Sequence, residues 1–186
     1  SLRTRIFANI SKINRIGTQF PSLSNWVISK SIFRFLQGLI GIHPERTLPP
    51  FASTTFSKWF QTRTLSAKKS NKGKVILFHD TFMEGNYPSV GIAATKILEQ
   101  AGFEVIIVEK ECCGRPLISK GMLDEAVRLA RRNVEILFPF VQRGIPIVGT
   151  EPSCLLTLRE EYIDLLPECD KAKVVANNSY LIDEFL

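Results

Sequence analysis

The sequence holds too little cysteine for a disulfide scaffold: four in 186 residues, two of them adjacent (Cys112, Cys113). Neighbouring cysteines rarely bridge each other, so reduced thiols, metal ligands or redox chemistry in a cytosolic setting fit better. Apolar runs are short, and none approaches the ~18 residues a membrane span needs. There is no Cys-x-x-Cys-x-x-Cys run and no glycine-rich nucleotide fingerprint. A secreted mini-protein, a collagen-like chain and a transmembrane protein are excluded. Acidic residues are missing altogether from the first 44 positions. What remains is ordinary globular composition, 45% hydrophobic and 23% charged, in a chain long enough to bury a core without staples.

The net charge of +6 conceals a split. Residues 1–74 carry 13 Lys and Arg against Glu45 alone, whereas residues 75–186 carry 11 against 17 acids. The front portion also holds 9 of the 15 Phe and Trp. The polar run from Ser66 to Lys74 cannot bury apolar surface and reads as a linker or exposed loop. Two units are expected: a basic, aromatic, mostly helical arm over residues 1–73, and an α/β domain over 74–186.

The front composition imitates a mitochondrial transit peptide, but the chain begins with Ser, which reads as a segment of a longer protein. Helical spacing predicts one helix from Arg3 to Asn14, with Ile6, Ile10 and Ile13 on a face, and a second from Ser24 to Gly38. Ser53 is a candidate cap for a third, containing Phe56, Trp59 and Phe60. Nucleic-acid binding, a membrane surface and packing against another part of a larger polypeptide compete for this arm. The basic residues form no dense run and no recognition motif accompanies them, so no nucleic acid is expected. Packing is the preferred reading, with Trp26 and Phe33 against a protein surface. Peripheral contact with an inner membrane is the second expectation.

From Lys74 the pattern changes. Val75-Ile76-Leu77-Phe78 reads as a strand buried on both faces, and Val105–Val108 and Ile145–Val148 as further strands. Pro146 argues for an edge position or the first strand residue. Helices are expected over 89–101, 121–143, 154–166 and 170–186. Strand–helix alternation implies a small parallel sheet flanked by helices, whose working groups gather outside the carboxyl ends of the strands. That edge would collect His79-Asp80-Thr81, Glu109 through Pro116, and Gly149 through Cys154.

Iron and zinc favour deprotonated sulfur presented from loops, which makes Cys112, Cys113 and Cys154 the candidate metal ligands. Gly114 lets the backbone bend closely around such a group, and Cys154 stands at the start of a helix. Against this, a buried cysteine is also a common small apolar filler. Cys169 reads as packing, and His79 as a structural histidine more than a ligand. A vicinal redox pair at Cys112 and Cys113 is a further reading.

Cys112-Cys113-Gly114-Arg115-Pro116-Leu117-Ile118-Ser119-Lys120-Gly121 and Glu151-Pro152-Ser153-Cys154 resemble the cysteine-rich CCG domain of heterodisulfide reductases and related iron–sulfur proteins. Asp80-Thr81-Phe82, Leu155-Leu156-Thr157-Leu158-Arg159 and Asp183-Glu184-Phe185-Leu186 extend the resemblance to fused FAD-linked D-2-hydroxyacid (D-lactate type) dehydrogenases. The resemblance implies electron transfer through an iron–sulfur (4Fe-4S) cluster, with Cys112, Cys113 and Cys154 among its ligands. FAD would sit on another domain, and flavin and ferredoxin-type domains would be the partners. No residue of this chain is expected to be catalytic or to bind the flavin. The sequence departs from the family pattern at two sulfurs: His79-Asp80 stands where a cysteine precedes the pair, and Glu151 where Cys-x-x-Cys begins. Only the first of the family's two cysteine-rich repeats is present. A cluster-free or zinc-holding docking module is the alternative.

Overall fold

The computed structural model describes residues 2–43, 45–64 and 71–186. The expected linker at Ser66 to Lys74 therefore falls largely outside the described residues.

In the arm, the two expected helices are each broken in two. Helices α1 (Leu2–Ala8) and α2 (Ile10–Gly17) part at Asn9, whose side-chain amide donates to the Arg5 carbonyl at 2.9 Å. Asparagine competes for backbone groups in this way and interrupts a continuous helix. Helices α3 (Pro21–Ser29) and α4 (Ser31–Leu39) part at Lys30, which is extended (ψ 144°). α3 starts at Pro21, ahead of Ser24, because proline is pre-organised for a first helical turn. Helix α5 (Phe56–Thr62) is capped by Thr55 in place of Ser53; its side chain accepts from the Lys58 N–H at 3.3 Å.

The sheet comprises β1 (Lys74–Leu77), β2 (Glu104–Ile106), β3 (Ile147–Gly149) and β4 (Ser179–Leu181), all parallel, in the order β2-β1-β3-β4. β1 alternates between two cores. Val75 and Leu77 face Phe56, Met83, Ala94 and Leu98, from α5, α6 (Thr81–Gly85) and α7 (Pro88–Gln100). Ile76 and Phe78 face Ala130, Val134, Leu137, Leu155, Leu158 and Val175 on the opposite side. These come from α9 (Leu123–Val141), which follows the short α8 (Arg115–Ile118), from the Cys154 region and from α12 (Asp170–Asn177). β3 is an interior strand. Pro146 precedes it and its carbonyl accepts from the Ile76 N–H at 2.9 Å, so its missing donor costs the ladder nothing. β4, followed by α13 (Ile182–Phe185), lies inside the segment expected to be wholly helical; three residues pairing beside β3 complete the sheet.

After β3 the chain winds through α10 (Pro152–Leu156), a π-turn at Thr157–Glu161 and α11 (Tyr162–Leu165). The arm is tied to the α/β body by polar contacts. The buried Asn14 amide donates to the Thr81 carbonyl (2.8 Å) and to Asn86 Oδ1 (2.7 Å). Among the described residues, no helix is long and apolar enough to cross a membrane. Trp26 is 58% exposed, with the Lys30 ammonium over its ring at 4.4 Å. Among the described residues of this chain it does not find the protein surface expected for it.

Candidate metal centre

β1 lies at the point where successive connections leave in opposite directions, to β2 on one side and β3 on the other. In open α/β sheets that crevice, outside the carboxyl ends of the strands, is where groups converge. Here it brings together the segments following β1, β2 and β3. The Cys113 and Cys154 sulfurs are 3.2 Å apart. The Cys112 thiol meets the Cys113 sulfur, and the Thr81 side chain faces it. Gly114 adopts φ 90° ahead of α8, a backbone state open to glycine without strain. Beyond that bend, the Gly114 N–H faces the Cys112 sulfur and the Arg115 N–H faces that of Cys113.

The sulfurs perturb one another. Cys112 is pushed up, first by its contact with Cys113 and then by burial. For Cys113, the contact with Cys112 pulls down, but the bond to Cys154 and burial outweigh it and push the thiol up to about 12. A bound cation inverts this logic, because a coordinated thiol gives up its proton. Lys110 is the nearby fixed cation. Its Nζ donates to the His79 carbonyl at 2.6 Å and sits 3.8 Å from the centre of the Phe78 ring. Burial lowers its pKa, against the pull of Cys154, Cys112, Cys113 and Asp80.

Of the flanking groups, the carboxylates serve local structure. Asp80 caps α6, accepting from the Phe82 and Met83 N–H groups at 2.7 and 3.1 Å. Glu151 caps α10 through the Ser153 N–H (3.2 Å) and hydroxyl (2.6 Å). His79 packs beside Phe56 with ring centres 5.8 Å apart, and burial, then Lys110, lowers its pKa to about 3. It is a neutral structural histidine. Cys169 precedes α12 and packs against the core, away from the three clustered sulfurs.

Four residues that shape this site carry no signal that sequence reasoning picks out as functional. Thr81, not His79 or Asp80, is the β1-side residue that reaches a sulfur. Lys110 is, in sequence, one charge in a polar run. Asn133 and Tyr162 are both fully buried. The Asn133 amide donates to the Cys112 carbonyl (2.9 Å) and to the Tyr162 hydroxyl (2.8 Å), while its oxygen accepts from the Glu111 N–H (3.0 Å). Tyr162 donates to the Cys113 carbonyl at 2.9 Å. The available signal for Asn133 is a polar residue inside the apolar stripe of α9.

The donor set fits an iron–sulfur centre in kind: three soft sulfurs on loops, two of them faced by peptide N–H groups. It is incomplete in number. Among the described residues, no group of three or more His, Cys, Asp or Glu is arranged to hold a metal ion by itself. A cleft of about 610 Å³ opens beside Cys112, between α2 and the ends of β1 and β2.

This is a cysteine-rich α/β domain with its sulfurs at the carboxyl edge of a parallel sheet. Residues 76–159 match the CCG family model, a cysteine-rich domain, and the chain carries a domain of that family. It is 34% identical over 170 residues to the third component, C, of the anaerobic glycerol-3-phosphate dehydrogenase of Escherichia coli K12, covering 89% of this chain and 42% of that protein. Lactate utilization protein A of an Exiguobacterium is 34% identical over 88 residues, 46% of this chain and 35% of that protein. D-2-hydroxyglutarate dehydrogenase of E. coli is 22% identical over 190 residues, 97% of this chain and 19% of that enzyme. The chain thus spans less than half the length of these relatives. No solved structure matches it.

Proposed function

We propose that this chain is a portion of the iron–sulfur electron-transfer region of a flavin-linked dehydrogenase acting on a small 2-hydroxy acid. Cys112, Cys113 and Cys154 would contribute ligands to one centre, completed by groups outside the described residues. The observation that carries the reading is the 3.2 Å contact between Cys113 and Cys154, with Cys112 adjoining, at one rim of the sheet. The names of the relatives point the same way. Glycerol 3-phosphate, lactate and 2-hydroxyglutarate each present a secondary alcohol on a small anionic molecule.

When bound, the cluster supplies one-electron storage between a two-electron flavin and an acceptor. This chain's own residues would present sulfur, aim peptide N–H groups at it and hold one fixed cation, Lys110, nearby. Hydride removal from the alcohol belongs to a flavin domain elsewhere. The exposed apolar faces of α3 and α4 would pack on ferredoxin-type or flavin parts of the same polypeptide or complex.

Anaerobic reconstitution with ferrous iron and sulfide tests the reading. Iron and sulfide retained after desalting, with brown visible absorption and a paramagnetic signal on reduction, is the expected result. A colourless protein holding stoichiometric zinc would replace it with the docking-module reading.

A further inference from the structure

We infer that Asn133 and Tyr162 are positioning residues for the sulfur loop, fixing the peptide groups of Glu111 to Cys113 so that the next two N–H groups meet the cysteine sulfurs. The inference rests on the reading of those sulfurs as ligands, and neither residue has been credited with a hydrogen bond to a sulfur itself.

The geometry is saturated. Asn133 spends its oxygen on the Glu111 N–H and its two amide hydrogens on the Cys112 carbonyl and the Tyr162 hydroxyl. Tyr162 passes its own hydrogen to the Cys113 carbonyl. Both side chains are fully buried, so every one of these partners is needed to offset the desolvation of an amide and a phenol. Only one conformation of the loop offers an N–H at 111 and carbonyls at 112 and 113 together on the core side.

With both cysteine carbonyls drawn inward, the chain reverses at Gly114, and the Gly114 and Arg115 N–H groups turn towards the sulfurs. Hydrogen bonds to cluster sulfurs are one of the means by which a protein sets the charge its centre carries. The network reaches this loop from two elements far apart in the chain, α9 and the segment after the π-turn. It therefore acts through the cysteine backbone, as outer-shell partners of metal ligands do.

The test uses the whole chain, anaerobic and reduced, with Tyr162→Phe as the main variant and Asn133→Leu as the second. Val134→Ala is the packing control: it neighbours Asn133 in α9 and is buried, yet lies in the apolar core. Amide exchange at Gly114 and Arg115 is read relative to the β1 amides. Tyr162→Phe should speed it at least tenfold and change the alkylation rate of Cys112 by iodoacetamide several-fold. Val134→Ala should lower the melting temperature and leave both ratios alone. In iron-loaded protein, Tyr162→Phe should also move the paramagnetic signal, whereas Val134→Ala should not. Unchanged exchange at Gly114 and Arg115 in folded Tyr162→Phe protein overturns the inference. Wild-type protein that takes up no iron sinks the parent reading instead, and the exchange result still decides this one. Should Asn133→Leu fail to fold, Tyr162→Phe alone suffices.

Discussion

The Cys113 and Cys154 sulfurs touch across 3.2 Å although 41 positions separate them in the chain. Removing either leaves a site with two sulfurs. Cys113→Ser and Cys154→Ser should each abolish iron retention after reconstitution, and Cys112→Ser likewise. Cys169→Ser, away from the rim, should retain iron at the wild-type level. Iron and sulfide analysis of the desalted proteins checks this, and equal loss in all four would show that general misfolding is responsible.

Thr81 faces the Cys112 sulfur at the position closest to the missing family cysteine. Thr81→Cys adds a fourth thiol at the rim, and a fourth soft donor should favour a tetrahedral ion. Cobalt(II) titration should show at least tenfold tighter binding than in the parent chain, with stronger thiolate charge-transfer bands. Unaltered affinity would place the Thr81 side chain outside the donor set.

His79 has its pKa lowered from 6.5 to about 3, mainly by burial and secondly by Lys110. The unfolded chain takes up this proton near pH 6.5, the folded chain only near pH 3. Between those limits the unfolded state holds more protons, so stability falls as pH falls. From pH 7 to pH 5 the contribution is a loss of about 2 kcal/mol. His79→Gln should remove that part of the decline, measured by urea unfolding at the two pH values. An identical decline in both proteins would refute the assignment.

Asn14 links the arm to the Thr81 carbonyl and to Asn86. Asn14→Leu leaves both partners unsatisfied in a buried setting, at a cost of about 2–3 kcal/mol. The urea midpoint should fall accordingly without a change in slope. A change below about 0.5 kcal/mol would show that the arm is held mainly by apolar contacts such as Ala8 with Leu117 and Ala126.

Trp26 tests the preference for a protein partner over a membrane. Vesicles rich in anionic lipid, added to the whole chain, should leave its fluorescence maximum in place. A blue shift with co-sedimentation would assign this face to lipid.

Much of the body was legible because burial on both faces writes a continuous apolar run. Val75 to Phe78 could be nothing but a central strand, and parallel order followed from the helices between strands. The sulfur rim was legible for the same reason: strand ends fix where loops emerge. β4 was not, since Ser179-Tyr180-Leu181 is a three-residue strand enclosed by helical sequence, and only pairing with β3 selects it. The breaks at Asn9 and Lys30 turn on single backbone competitions that apolar spacing does not register. Asn133 and Tyr162 were hidden because their work is done on peptide groups, which carry no residue-specific mark. Asp80 and Glu151 looked like candidate oxygen ligands by type, and the structure occupies both as helix caps.

The π-turn at Thr157–Glu161 separates Cys154 from Tyr162. In regular α-helical winding, eight residues would leave those two side chains about 80° out of line. The wider turn absorbs an additional residue and swings the phenol back round to the cysteine's side. Spacing across this stretch thus matters more than its composition. Losing one residue there would restore ordinary winding yet rotate the tyrosine out of reach, whereas exchanging the outward Glu160 would cost little.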